Sequence, residues 1–292
     1  MMKSIRVALT ACAMALSHTM MPVGAAAQEA PAQSQPQTAA AAQGALAQSR
    51  PQAAAAADSA STTINLLFIG NSITAGATLA DAKSMAPPIV CADLVRQATG
   101  APTNVYNGGH SGITTLGFLP GRSDFTRVVA AAQAFRQQNG GLIYFSIMLG
   151  TNDSACTTTE GAPVAPDTYG ANIRTIIDAL IAAVPNCRIL LNYPIWYSPN
   201  THNSAMYLQE GLDRLHSYYP VLDAIADQYP QVHAGNRGVW DYFKDNRLLF
   251  TSERGHAGTF HLHPNRLGAE RLAEIWAWSL LRLIEADGIK VK

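Results

Sequence analysis

The sequence predicts an α/β fold, with a mainly parallel sheet covered by helices on both faces. Two observations carry this expectation. Short apolar runs, some ending in glycine, have the length and continuity of strands buried on both sides. Between them lie longer segments whose apolar residues recur every three or four positions, as on a helix with one buried face. Alternating strands and helices imply right-handed crossovers. Such sheets bind ligands beyond the C-terminal ends of their strands, where the strand order reverses.

In chain order, INLLFIG at 64–70 is the first strand, and 86–98 a short helix. TNVYN at 103–107 is a weaker strand. In 124–138, Phe125, Val128, Val129, Ala132 and Phe135 share one helical face, with Ser123 as the cap and Asn139-Gly140 as the end. LIYFSIMLG at 142–150 is again a buried strand. In 166–184, Tyr169, Ile173, Ile176, Ile177, Leu180, Ile181 and Val184 keep the helical spacing, and Pro166 suits the first turn. CRILLN at 187–192 and QVHA at 231–234 complete a set of about five strands, and 204–228 and 266–286 are the remaining long helices.

The domain is expected to occupy 63–292. Residues 1–27 read as a secretory signal: Lys3 and Arg6, a mostly apolar run, then Ala25-Ala26-Ala27 before a cut. Ser17, His18 and Thr19 interrupt the run, which argues against a membrane anchor. Leu9-Thr10-Ala11-Cys12 resembles a lipoprotein box, but the run before it is short. Residues 28–62 are Ala, Gln, Pro and Ser with few large apolar side chains, so they read as a disordered linker. The expected location is therefore secreted or periplasmic. Lys+Arg and Asp+Glu are both 20, and no basic block points to nucleic acid or to a membrane surface. Once the expected signal with Cys12 is removed, Cys91, Cys156 and Cys187 remain, an odd number, so at least one lacks an intramolecular partner.

The functional signal lies in the loops that leave the strands. Gly70-Asn71-Ser72-Ile73-Thr74 comes after the first, Asn107-Gly108-Gly109-His110-Ser111-Gly112 after the second and Gly150-Thr151-Asn152-Asp153 after the third; His261-Leu262-His263-Pro264 is read as coming after the last. A serine needs a base to attack a carbonyl, and the resulting oxyanion needs fixed donors such as a glycine-loop N–H and an asparagine amide. Each residue alone has a plain alternative. Ser72 can cap a helix, Asn152 can close an Asx-turn, and His263 can simply precede a helix. Four such segments in this order point to acyl transfer.

FIGNSITAG resembles the first block of the SGNH (GDSL-type) hydrolases, with Asn71 where aspartate is commoner. NGGHSG resembles the second block, GTND the third, and HPN followed by Leu267-Gly268 the last. The resemblance implies a flavodoxin-like three-layer α/β/α sandwich. It also implies a serine esterase that needs no metal or organic cofactor. Ser72 would be the nucleophile and His263 the base, with the oxyanion hole formed by the Ser72 and Gly112 N–H groups and the Asn152 side chain. His261 would be a neighbour of the site. One position departs: the family has Asp-x-x-His, but Phe260 stands three residues before His263. The Nδ1–H of His263 then needs another acceptor. The expectation leans to a Ser72–His263 dyad held by a main-chain carbonyl. Glu253 is the alternative, should the ERGHAGT loop with Gly255 and Gly258 fold back.

Three other readings compete. Gly109-His110-Ser111-Gly112 begins like the nucleophile elbow of an α/β-hydrolase, but Ile113 breaks it. His261 and His263 share a side of an extended segment as metal ligands do, yet no HExxH or Cys/His cluster completes a site. A non-catalytic carbohydrate-binding domain is the third. The expected substrate is a carboxylic, chiefly acetyl, ester of a polysaccharide, with lipid or aryl esters as alternatives. Trp196 and Tyr197 are expected at the site rim, where they could stack on a sugar ring or simply bury surface.

Overall fold

Ile64–Gly70 is buried along its whole length, as a mostly apolar run requires, and its buried Asn65 donates to the Gly140 carbonyl at 2.8 Å. The computed structural model describes residues 62–292 except Thr158. The expected signal (1–27) and all but the last residue of the expected linker (28–62) lie outside the described residues. In chain order the elements are β1 (Ile64–Gly70), α1 (Ser72–Ala75), α2 (Ala82–Met85), α3 (Pro87–Thr99), β2 (Thr103–Gly109), α4 (Ser123–Asn139), β3 (Leu142–Met148), α5 (Pro166–Ala183), β4 (Arg188–Leu191), β5 (Asn200–His202), β6 (Ala205–Tyr207), α6 (Gln209–Ala226), β7 (Val232–Ala234), α7 (Val239–Asp245), a 3₁₀ turn (Arg247–Leu249), β8 (Glu253–Gly255), β9 (Gly258–Phe260) and α8 (Arg266–Ala286).

The central sheet has the order β2-β1-β3-β4-β7 and is parallel throughout. Successive strand residues turn to opposite helix layers. Phe68 stacks on Trp276 of α8, with centroids 5.6 Å apart. Gly108, the ladder partner of Ile69, faces Val128 of α4. Helix α3 packs on α8, and α5 on α6. This is the three-layer α/β/α sandwich with a flavodoxin-type strand order. Gly70 pairs with both Gly109 and Met148, so β1, β2 and β3 end level. The order reverses between β1 and β3, and the loops that leave them meet there.

Several local expectations are corrected. The helix expected over 204–228 begins only at Gln209. Before it, Asn203 and Ser204 take positive φ values of 48° and 66° and turn β5 back onto β6 as a tight hairpin. Ser123 is the first residue of α4 and Arg122 its cap. Trp196 and Tyr197 are 4% and 0% exposed, so they belong to the core and offer no stacking platform. His263 does not come after a strand of the central sheet; it comes after β9, in a separate two-stranded sheet with β8. Cys91, Cys156 and Cys187 are all free thiols, the first and last buried.

Candidate active site

The serine is set by a single helical turn. Asn71 caps α1, its Oδ1 accepting the Ile73 N–H at 3.0 Å, and Ser72 is the first helical residue. This turn lies against the end of β2 because position 109 has no side chain; a Cβ there would come within 2.3 Å of the Ala75 nitrogen. The His110 N–H donates to the Gly70 carbonyl at 2.9 Å and carries the ladder one residue further. The chain then surfaces. His110, Ser111 and Gly112 are exposed, and Gly112 has φ +82° with open space where a Cβ would stand.

The loop after β3 is buried and tied to that surface loop. Asn152 donates from Nδ2 to the Ile113 carbonyl at 2.8 Å, and its Oδ1 accepts the Tyr207 hydroxyl at 2.7 Å. An amide nitrogen carries two protons, so one remains to be donated. Asp153 accepts both the N–H (2.9 Å) and the hydroxyl of Thr115. Burial pushes its carboxyl up to about 6, against the pull of these bonds.

The imidazole arrives by another route. Nε2 of His263 is 2.8 Å from Oγ of Ser72, and Nδ1 is 2.9 Å from each carboxylate oxygen of Glu253. Glu253 Oε1 also accepts the His263 backbone N–H at 3.2 Å. A carboxylate at Nδ1 fixes the proton there and leaves Nε2 free to accept from the serine. The dyad held by a main-chain carbonyl is therefore corrected: the ERGHAGT segment folds back as the β8–β9 hairpin, and the carboxylate does the holding. Burial acts to raise the Glu253 carboxyl. The hydrogen bond and charge of His263, its N–H and the charge of His202 outweigh that and hold it below the usual value. His202 Nε2 lies 3.4 Å from Glu253 Oε2.

The register explains how glutamate reaches this point. Glu253 stands opposite Phe260 in the antiparallel β8–β9 pair, so the two side chains share one face. Phe260, at the position where the resemblance calls for aspartate, is fully buried against the rings of Tyr207 (5.7 Å) and His202 (5.3 Å).

Ser72 and His263 are thus brought together, while Gly112 and Asn152 are joined through Ile113. His261 takes no part in this contact. Its N–H donates to Ser198 at 2.8 Å, its ring lies 6.1 Å from that of Phe250, and burial and then Arg247 lower its basicity. Ser111, the nucleophile of the competing α/β-hydrolase reading, is not the serine that His263 meets. Among the described residues, no group of three or more His, Cys, Asp or Glu is gathered as a metal site needs. No described helix is long and apolar enough to cross a membrane. Tyr207 is hidden in the sequence because helical spacing over 204–228 masks β6, and His202 because it falls just before that range in a stretch with no strand pattern. The Asn203-Ser204 pair is the turn signal that could have revealed them.

Comparison with known proteins agrees with this architecture. The model of the GDSL-like lipase/acylhydrolase family matches residues 68–271. A carbohydrate acetylesterase from Sinorhizobium meliloti superposes with TM-score 0.52 at 16% identity, over 75% of this chain and 99% of its own. A catalytic mutant of an acetylxylan esterase from Geobacillus stearothermophilus gives 0.52 at 20% identity, over 75% and 93%. The aryl esterase of M. smegmatis gives 0.51 at 16% identity, over 75% and 99%. No curated protein matches the sequence. With its family matched over most of the folded domain, the chain belongs to the GDSL-like lipase/acylhydrolase family and is a hydrolase of ester bonds.

Proposed function

We propose that this chain is an exported serine esterase that removes acetyl groups from a carbohydrate, using Ser72, His263 and Glu253. The hydrogen-bonded series Ser72–His263–Glu253 is the observation that carries this reading. Nε2 of His263 takes the hydroxyl proton as Oγ of Ser72 attacks the ester carbonyl. The tetrahedral oxyanion is met by the N–H groups of Ser72 and Gly112 and by the remaining amide proton of Asn152. Collapse breaks the bond to the alcohol, which leaves with the proton from His263. Water then repeats the sequence on the acyl-serine and releases the carboxylate. Glu253 keeps the ring in its tautomer and stabilises the imidazolium formed in each half.

A carbohydrate ester is supported by the exposure of loop 110–112, which holds the proposed Gly112 donor at the protein surface, within reach of a bulky substrate. The activities for which the acetylesterase and acetylxylan esterase of the same fold are named also support it. Export is supported by Lys3, Arg6, the apolar run and Ala25-Ala26-Ala27. One experiment tests the activity: acetate release from acetylated xylan, mannan and pectin beside aryl and long-chain esters, for the native protein and Ser72→Ala. Acetate from a polysaccharide, lost in Ser72→Ala, is expected. Preference for aryl or long-chain esters would overturn the substrate, and activity in Ser72→Ala would overturn the nucleophile. N-terminal sequencing of exported protein is expected to begin at Gln28.

A further inference from the structure

The β5–β6 hairpin lies outside the central sheet, yet it reaches both halves of the site. On β6, Tyr207 donates its hydroxyl to Oδ1 of Asn152 at 2.7 Å. On β5, His202 brings Nε2 to 3.4 Å from Glu253. Main-chain bonds fix the hairpin to both neighbouring segments. The Cys156 N–H, in the loop after Asn152, donates to the Met206 carbonyl at 2.8 Å; the His256 N–H, in the β8–β9 turn, donates to the Thr201 carbonyl at 2.9 Å. Asn200 Oδ1 accepts the Ala257 N–H at 3.0 Å.

The two bonds of the Asn152 amide act together. Ile113 accepts one amide proton and Tyr207 donates to the amide oxygen, so the plane and sense of the amide are both fixed. A reversed amide would set its oxygen against the Ile113 carbonyl. A donor on Oδ1 also withdraws charge from the amide and strengthens the remaining N–H as a donor, by roughly 10–30% per bond in such chains. Tyr207 remains a phenol under all ordinary conditions, because burial and then the Glu253 charge push its hydroxyl up to about 12.

We propose that Tyr207 is a positioning residue of the oxyanion hole, locking and polarising the Asn152 amide from the hairpin that also abuts Glu253. This rests on the reading of Asn152 as an oxyanion donor. The contact exists before substrate arrives, so its contribution appears where charge develops on the carbonyl oxygen and little in ground-state binding.

The test is kcat and KM on an activated acetyl ester for the full chain, Tyr207→Phe, Asn152→Ala and the double variant. Tyr207→Phe keeps the ring and its packing. The expected result is a fall of about tenfold in kcat with KM within about twofold, and a further loss below about twofold when Tyr207→Phe is added to Asn152→Ala. Equal losses in both backgrounds, or a Tyr207→Phe kcat within twofold of the native value while Asn152→Ala collapses, overturn the proposal and leave the oxyanion reading standing. An unchanged Asn152→Ala overturns both. Should Tyr207→Phe fail to fold, ring-fluorinated tyrosine at 207 keeps the shape while raising phenol acidity. There kcat is expected to rise with acidity, and a flat response overturns the proposal.

Discussion

Glu253 and Phe260 face each other across the β8–β9 ladder, and the carboxylate of the first meets Nδ1 of His263, three residues beyond the second. On the proposed reading, the acid stands on the neighbouring strand and the base directly before Pro264. Glu253→Gln tests this arrangement. Gln can present an N–H to Nδ1 and so favour the wrong tautomer, for which kcat falls on the order of 10³–10⁴ with little change in KM. A loss under tenfold, measured on an activated acetyl ester, would restore the carbonyl-held dyad.

The two histidines of HLH are expected to separate cleanly. His263→Ala removes the group 2.8 Å from Ser72 and should reduce kcat by several orders of magnitude. His261→Ala leaves the N–H bond to Ser198, which is a main-chain donor, and should stay within about threefold of the native rate. A collapse of the His261 variant with an active His263 variant would reverse the assignment.

Asn152→Ala should lower kcat by about 10²–10³, as loss of one oxyanion donor does elsewhere. Gly112→Ala meets no neighbouring atom, so any effect comes from the backbone at φ +82°. It should cost about 1–2 kcal/mol and shift the loop N–H. Thermal unfolding and kcat measured together check this: a stable, fully active Gly112→Ala variant removes that N–H from the hole.

One buried carboxyl and one partly buried carboxyl give stability opposite dependences on pH. Asp153 is raised from 3.8 to about 6, so the folded state holds its proton more tightly than the unfolded chain. Its contribution is therefore greatest below the unfolded value and declines as pH rises through 6, by roughly 3 kcal/mol for a shift of this size. Glu253 is lowered, so its contribution is present above the unfolded value and is lost as pH falls through the folded one. Denaturant unfolding of Asp153→Asn should gain on the native protein between about pH 4 and pH 7, and Glu253→Gln should fall behind above about pH 4.5. Parallel curves for Asp153→Asn and the native protein across that range would contradict the first.

Much of the fold is legible in the chain because it depends on local pattern. β1 and α8 lie at the expected residues, and the other central strands within a few, since short apolar runs and helical stripes are read locally. Ser72 and Asn152 are visible because each comes directly after such a strand. The partner of His263 is not, because the β8–β9 pairing is a matter of register across a two-residue turn rather than of composition. Tyr207 is hidden by helical spacing that starts at Ser204, where a positive φ instead turns the chain into β6. Trp196 and Tyr197 mislead for a different reason. Their aromatic character suits a rim and a core equally, and only packing decides.

The three thiols carry a practical consequence. Burial pushes Cys187 up to about 11 and Cys91 further still, so neither forms the thiolate that alkylating reagents require. Cys156 is only partly covered, and its N–H holds Met206 on the strand that carries Tyr207. Among the described residues it is therefore the natural attachment point for a fluorophore. A dye there sits where the hairpin meets the Asn152 loop, and its emission would report local breathing at that junction during turnover without any engineered cysteine.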